Sequence, residues 1–260
     1  MDDSVRKCKA YLSNLQLDLP PPTSIATNYP LKRVTAVDEV DGNCKNKPAV
    51  VGSMTVQPSS DLSAELYADV QNSCLLAQLA AKKKVPDSEK NPVKWYKAYR
   101  EVLENIGWRI TDFGFNKSET NSNSFTVKKS IIGFLETLAI GPELAGLKLV
   151  IDALTRAANG EALEVFKNTS KSQVHGKFQL GTAKPAGDGT VTIAAGAFYF
   201  PSSSSAGTVS FFFDWSLSDI ELYQSNQTMD LNMDVYKYVR EDIIEKLGPH
   251  AKNYVKDIEI

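Results

Sequence analysis

The sequence predicts an α+β fold, with a mainly helical N-terminal half followed by a C-terminal antiparallel β-meander packed by helices. Three observations predict it. Apolar residues recur at three- and four-residue spacing in several segments before residue 158. Beyond Ser172 the period switches to two. No strand–helix–strand alternation calls for a parallel sheet. At 260 residues, the chain reads as one α+β domain over 1–260. The only subdivision it invites is a mainly helical part with a few short strands at 1–170 and a sheet plus C-terminal helix at 171–260.

The elements follow in order. Val5, Cys8, Leu12 and Leu15 form one helical stripe, with Asp2 and Asp3 at its positive end. Pro20-Pro21-Pro22 reads as an extended linker. Between residues 50 and 57, Val50, Gly52, Met54 and Val56 alternate with Val51, Ser53, Thr55 and Gln57, as in a strand. A long helix then places Leu62, Leu66, Val70, Cys74, Ala77 and Ala81 on one stripe. Lys82-Lys83-Lys84 closes it, where cations complement the dipole. The next helix has Asn91 as cap, Pro92 in its first turn and Gly107 as a left-handed stop; Trp95, Tyr99, Val102 and Ile106 are its inner face. A strand at 108–115 precedes a polar loop at 116–124.

Two helices, 128–140 and 142–158, are hinged at Gly141-Pro142. In the second, Leu144, Leu147, Ile151, Leu154 and Ala158 face one way, and Lys148, Asp152 and Arg156 the other. The meander begins where Val174, Phe178 and Leu180 alternate with the polar Gln173, His175, Lys177 and Gln179. It continues through 191–199 and 209–217, with a bulge or bend near Ser218-Asp219. A final helix at 233–247 stops at Gly248-Pro249, and 254–260 reads as an edge strand.

Composition excludes several functions. With 29 basic against 31 acidic side chains and a net charge of −2, there is no basic field for nucleic acid. The start, Met1 to Lys7, lacks the apolar core of a Sec signal, and no run of about 18 apolar residues occurs, so the chain reads as soluble and cytoplasmic as synthesised. Export by another route stays open. Cys8, Cys44 and Cys74, odd in number and widely spaced, read as reduced thiols. The two histidines, His175 and His250, have no second ligand at metal spacing, so neither a metal nor a cofactor is expected. No G-x-S-x-G elbow, phosphate loop or dinucleotide fingerprint is present.

Two cysteine arrangements bear on catalysis. Asp41-Gly42-Asn43-Cys44 resembles the D-G-N-C that carries the nucleophile of OTU-type deubiquitinases, which would make Cys44 a thiolate at a helix N-terminus. The likeness covers four residues, and Lys45-Asn46-Lys47-Pro48 then follows as loop, so the segment reads as a surface turn. Cys74 and His175 stand in the order Cys then His, as in papain-like hydrolases. The place of Cys74 on an apolar stripe makes it a buried thiol.

What remains is the segment between Gln173 and Tyr223. Eight of the 24 aromatic residues fall within 198–223, and Phe198-Tyr199-Phe200 and Phe211-Phe212-Phe213 put aromatics on both faces of a strand. One face can enter the core. The other is covered by the helices at 128–158, or it meets a membrane or a partner. The sequence therefore predicts a non-enzymatic protein acting by membrane or partner-surface engagement, as a toxin-like effector does. Phe198, Phe200, Phe212 and Trp215 are the contact residues, and Gly141 and Pro142 the hinge. The rival readings are a self-assembling structural protein pairing through strand edges and a cysteine-dependent hydrolase.

Overall fold

The computed structural model describes residues 3–19, 46–111, 114–118, 126–154, 156–172, 175–187, 189–200 and 221–260. The helices are α1 (Asp3–Asn14), α2 (Ala64–Lys84), α3 (Pro92–Asn105), α4 (Val127–Leu135), α5 (Gly141–Ala153), α6 (Gly160–Ser170), α7 (Met233–Tyr236) and α8 (Arg240–Leu247). The strands are β1 (Ala49–Val51), β2 (Met54–Pro58), β3 (Trp108–Thr111), β4 (Asn116–Lys117), β5 (Lys171–Ser172), β6 (His175–Pro185), β7 (Val191–Phe200), β8 (Tyr223–Leu231) and β9 (Val255–Asp257).

Among the described residues, nine strands join one sheet along the path β3-β8-β7-β6-β2-β1-β9, with β4 also on β8 and β5 on β6. The pairing is antiparallel except between β2 and β6, which run parallel. The fold is α+β. The N-terminal half, however, is helical only in part, because β1 to β4 come from it and complete the sheet built by the C-terminal half.

Helices cover both faces, as alternation along the strands requires. On one face α1, α2, α3, α7 and α8 pack against Met54, Val56, Ile193, Ala195, Ala197 and Met229. On the other, α4, α5 and α6 pack against Val50, Phe178, Leu180, Phe198 and Phe200.

Several sequence expectations change in this setting. Residues 50–57 are a hairpin and not one strand, because Gly52 adopts a left-handed conformation (φ 56°) and turns the chain. The apolar stripe of α2 is only part of its buried surface. Asp69, Gln71, Asn72, Ser73 and Gln78 are buried too, since the helix is enclosed on all sides. Two of these polar groups pair with the C-terminal helices: Arg240 donates two bonds to the Asp69 carboxylate at 2.8 and 2.6 Å, and the Ser73 hydroxyl lies 3.0 Å from that of Tyr236. Asn91 precedes α3 but does not cap it; its amide donates to Asp87 at 2.6 Å. The helix expected over 142–158 stops at Ala153, and α6 follows. The final helix is broken into α7 and α8. The strand expected at 209–217, the bend after it and the segment around Cys44 lie outside the described residues.

Candidate functional site

The four aromatics expected to make surface contact divide two and two. Phe212 and Trp215 lie outside the described residues. Phe198 and Phe200 are fully buried, so in this conformation they offer no contact area. The reason is the α4–α6 layer. Phe134 meets Phe198 edge-on with centroids 5.5 Å apart, and Phe178 stacks on Phe198 at 5.1 Å. Two glycines make room for these rings: a Cβ on Gly176 would stand 2.2 Å from the Phe200 ring, and one on Gly196 would stand 2.8 Å from that of Phe198. Gly141 and Pro142 open α5, with Gly141 in the left-handed region (φ 58°). Just before them, Ile140 is 79% exposed, the most exposed large apolar side chain among the described residues.

The cysteine readings fare no better as chemistry. Cys74 has no exposed surface, and burial pushes its thiol up to about 12, so it is no nucleophile at neutral pH. Burial also raises the Cys8 thiol. Among the described residues, the sheet edges are the short strands β3, β4, β5 and β9, which carry Arg109, Lys117, Lys171, Lys256 and Asp257. Short charged edges resist strand addition.

The chemistry gathers elsewhere, around Lys177. Sequence alternation placed this residue on a wet strand face with His175 and Gln179. In the structure that face lies under α2 and α3, leaving Lys177 only 3% exposed and Gln179 fully buried. The ammonium lies 4.6 Å from the centroid of the Trp95 ring, 3.5 Å from the Thr169 carbonyl oxygen and 3.9 Å from the Glu89 carboxylate. Glu89 is held from the other side by Lys82, which donates to both its oxygens at 2.9 and 3.1 Å, and by the Ser88 hydroxyl at 3.1 Å.

Lys177, Glu89, Lys82, Trp95 and Thr169 line a cleft of about 200 Å³. Leu75, Gln78, Leu79 and Lys82 come from the second half of α2, Trp95 from α3, and Asn168 and Thr169 from the end of α6. The β1–β2 turn forms another wall. Gln78 clamps it, accepting from the Ser53 amide at 2.8 Å and donating to the Val51 carbonyl at 2.8 Å. A larger hollow of about 600 Å³ runs between α1 and the α2–α3 pair. Its Lys84 and Glu101 are paired with each other at 2.6 Å, and Lys83 stands exposed at its wall.

Electrostatics in the smaller cleft are unusual. Burial pushes the Lys177 ammonium down to about 8; the Glu89 charge opposes this and the Lys82 charge reinforces it. Burial also raises the Glu89 carboxyl, but the Lys82 hydrogen bond and the two nearby ammonium charges outweigh it and hold Glu89 below its ordinary value. The site is thus an amine near its titration range beside a carboxylate that stays ionised.

One signal for this site was present in the sequence. Lys177 is among the few charged residues of the segment 173–223, and it sits next to Phe178 on a strand flanked by apolar neighbours. A charge on a strand buried on both faces is uncommon.

Comparison with known proteins adds little. No family model matches the chain, and no curated protein does. Among solved structures, that of the Evf virulence factor is similar, at a TM-score of 0.39 and 13% identity, covering 76% of this chain and 84% of that one. A likeness that distant transfers neither activity nor partner.

Proposed function

We propose that the chain binds a small polar organic molecule in the cleft at Lys177. One observation carries this reading. A lysine 3% exposed lines an open cleft with no short ion pair among the described residues, whereas its neighbour Lys82 holds Glu89 at 2.9 Å. A buried cation so weakly compensated destabilises a fold, and such groups cluster at functional sites. The cleft offers a ligand an aromatic face at Trp95, a cation at Lys82 and polar groups at Ser53 and Gln78.

The test is ligand-observed NMR with small carboxylates and carbonyl compounds, acetate, glyoxylate and propanal among them. It compares the native protein with Asn168→Trp, which places a bulky ring at the exposed rim. Saturation transfer lost in the variant supports the cleft. Equal transfer to both proteins, or none to either, defeats it.

A second reading rests on the exposure of Ile140 at 79% and of Leu149 at 46%, both on the α4–α5 layer. Engagement of a membrane or partner surface, the action of a toxin-like effector, would then run through this layer and not through Phe198 and Phe200. Co-sedimentation with liposomes, lost in Ile140→Asp, supports this reading. Native protein that stays in the supernatant with both neutral and anionic vesicles counts against its membrane form.

A further inference from the structure

We propose that Lys177 is a covalent anchor, its amine condensing with the carbonyl carbon of a small aldehyde or oxo acid held in the cleft; this rests on the cleft being a ligand site. Three features of the geometry carry it.

The first is that the amine is free to react. Its nearest polar contacts among the described residues are the Thr169 carbonyl oxygen at 3.5 Å and the Glu89 carboxylate at 3.9 Å. Both are long compared with the 2.9 Å bond that engages Lys82, so no tight pair has to be broken before the nitrogen lone pair can be used. The Trp95 ring at 4.6 Å fixes the direction of the amine without consuming a hydrogen bond.

The second is that a second ammonium stands nearby. Lysine nucleophiles are activated by desolvation and by a neighbouring cation, and both conditions hold at Lys177. An amine titrating near 8 is partly neutral at physiological pH, where an ordinary lysine is almost wholly protonated.

The third is that a carboxylate is in place to move protons. Glu89 is fixed by Lys82 and Ser88 on one side and faces Lys177 on the other. The step balances without an oxidant or reductant. The Lys177 nitrogen attacks the carbonyl carbon, a carbon–nitrogen bond forms, and the carbonyl oxygen becomes a hydroxyl. The oxygen takes its proton from the attacking nitrogen through Glu89, which then relays the second nitrogen proton to that hydroxyl; the hydroxyl leaves as water, and a neutral imine remains. Hydrolysis reverses the sequence. The cleft, with room for roughly seven water molecules, limits the partner to a few heavy atoms. Asp18 and Tyr254 are the other ionisable groups on its wall.

The experiment is reductive trapping. Folded protein at pH 7.5 is incubated separately with glyoxylate and with propanal, each with cyanoborohydride, and modified lysines are mapped by mass spectrometry. Lys177 is expected to react about tenfold faster than the exposed Lys94, and the preference should vanish in urea. Lys177→Arg should remove the fast site while keeping the charge. Lys82→Met should slow glyoxylate more than propanal if the second ammonium recruits the anionic partner; equal slowing assigns Lys82 to activating the amine alone. Labelling at Lys177 no faster than at Lys94 overturns the anchor. If NMR binding then still disappears in Asn168→Trp, the cleft remains a non-covalent site. If that binding is absent as well, both readings fall. Fast labelling that persists in Asn168→Trp overturns the cleft as the route of entry, and the proposal with it.

Discussion

Replacing Lys177 with methionine should stabilise the protein at pH 7, although it removes a contact to Trp95 and a partner of Glu89. The Lys177 ammonium titrates near 8 in the fold against 10.5 for an ordinary lysine. At about 1.4 kcal/mol per unit, the fold carries a penalty of about 3 kcal/mol wherever both states are protonated. The ring contact returns about 1 kcal/mol of this, so methionine, similar in length and apolar, should gain about 2 kcal/mol. Glu89 keeps Lys82, so no carboxylate is stranded. The sign with pH follows from linkage. A folded-state value lower than the unfolded one means that the folded state binds the proton less tightly. The penalty is therefore full below pH 8 and fades as pH rises from 8 towards 10.5. Urea denaturation at pH 7 and pH 9 measures both effects. The variant should have the higher midpoint at pH 7, and its advantage should narrow at pH 9. A variant less stable than the native protein at pH 7, or an advantage independent of pH, would refute this account of Lys177.

Two further outcomes test the core. Gly176→Ala should lower the urea midpoint by an amount worth about 1–3 kcal/mol, because the new methyl meets the Phe200 ring at 2.2 Å, whereas Gly187→Ala, with no atom within 4 Å of the added carbon, should change little. Cys74 should resist iodoacetamide in the native protein and react once urea unfolds it, as judged by mass spectrometry, since burial holds its thiol near 12; rapid native labelling would reopen the thiol chemistry.

How much of this was legible in the sequence depended on whether a residue's neighbours come from nearby in the chain. The inner face of α3 was readable because Trp95, Tyr99, Val102 and Ile106 obey helical spacing, and all four are buried. The helices over 128–158 were readable as the cover for Phe198 for the same reason. Strand β8 was not. Its Ser225 and Gln227 look like a solvated face, yet they are buried, because the layer above them is built from helices far earlier in the chain. Lys177 was misread by the same logic. A polar alternation specifies two faces of a strand, but it does not say which of them a distant helix will cover. Helix α6 was missed because Gly160 and the polar residues after it break the apolar rhythm on which the rest of the reading relied. The cleft itself draws on α2, α3, α6, the β1–β2 turn and β6, and no local pattern can announce such a convergence.

The pairing of β1 bears on how the protein is made. One side of this strand is bonded to β2, a few residues away, and the other to β9, with Ala49 opposite Asp257. The next joint, β2 against β6, is the sheet's parallel one and again spans a long stretch of chain. Closing loops of that size is slow, and a nascent polypeptide has neither β6 nor β9 to offer while α2 emerges from the ribosome. Helix α2 then holds Asp69, Ser73 and Gln78 without Tyr236, Arg240 or a settled β1–β2 turn to satisfy them. Such a chain gains little from folding in stages. Maturation should await release, and a chaperone that shields α2 until then should raise the yield more than any slowing of translation.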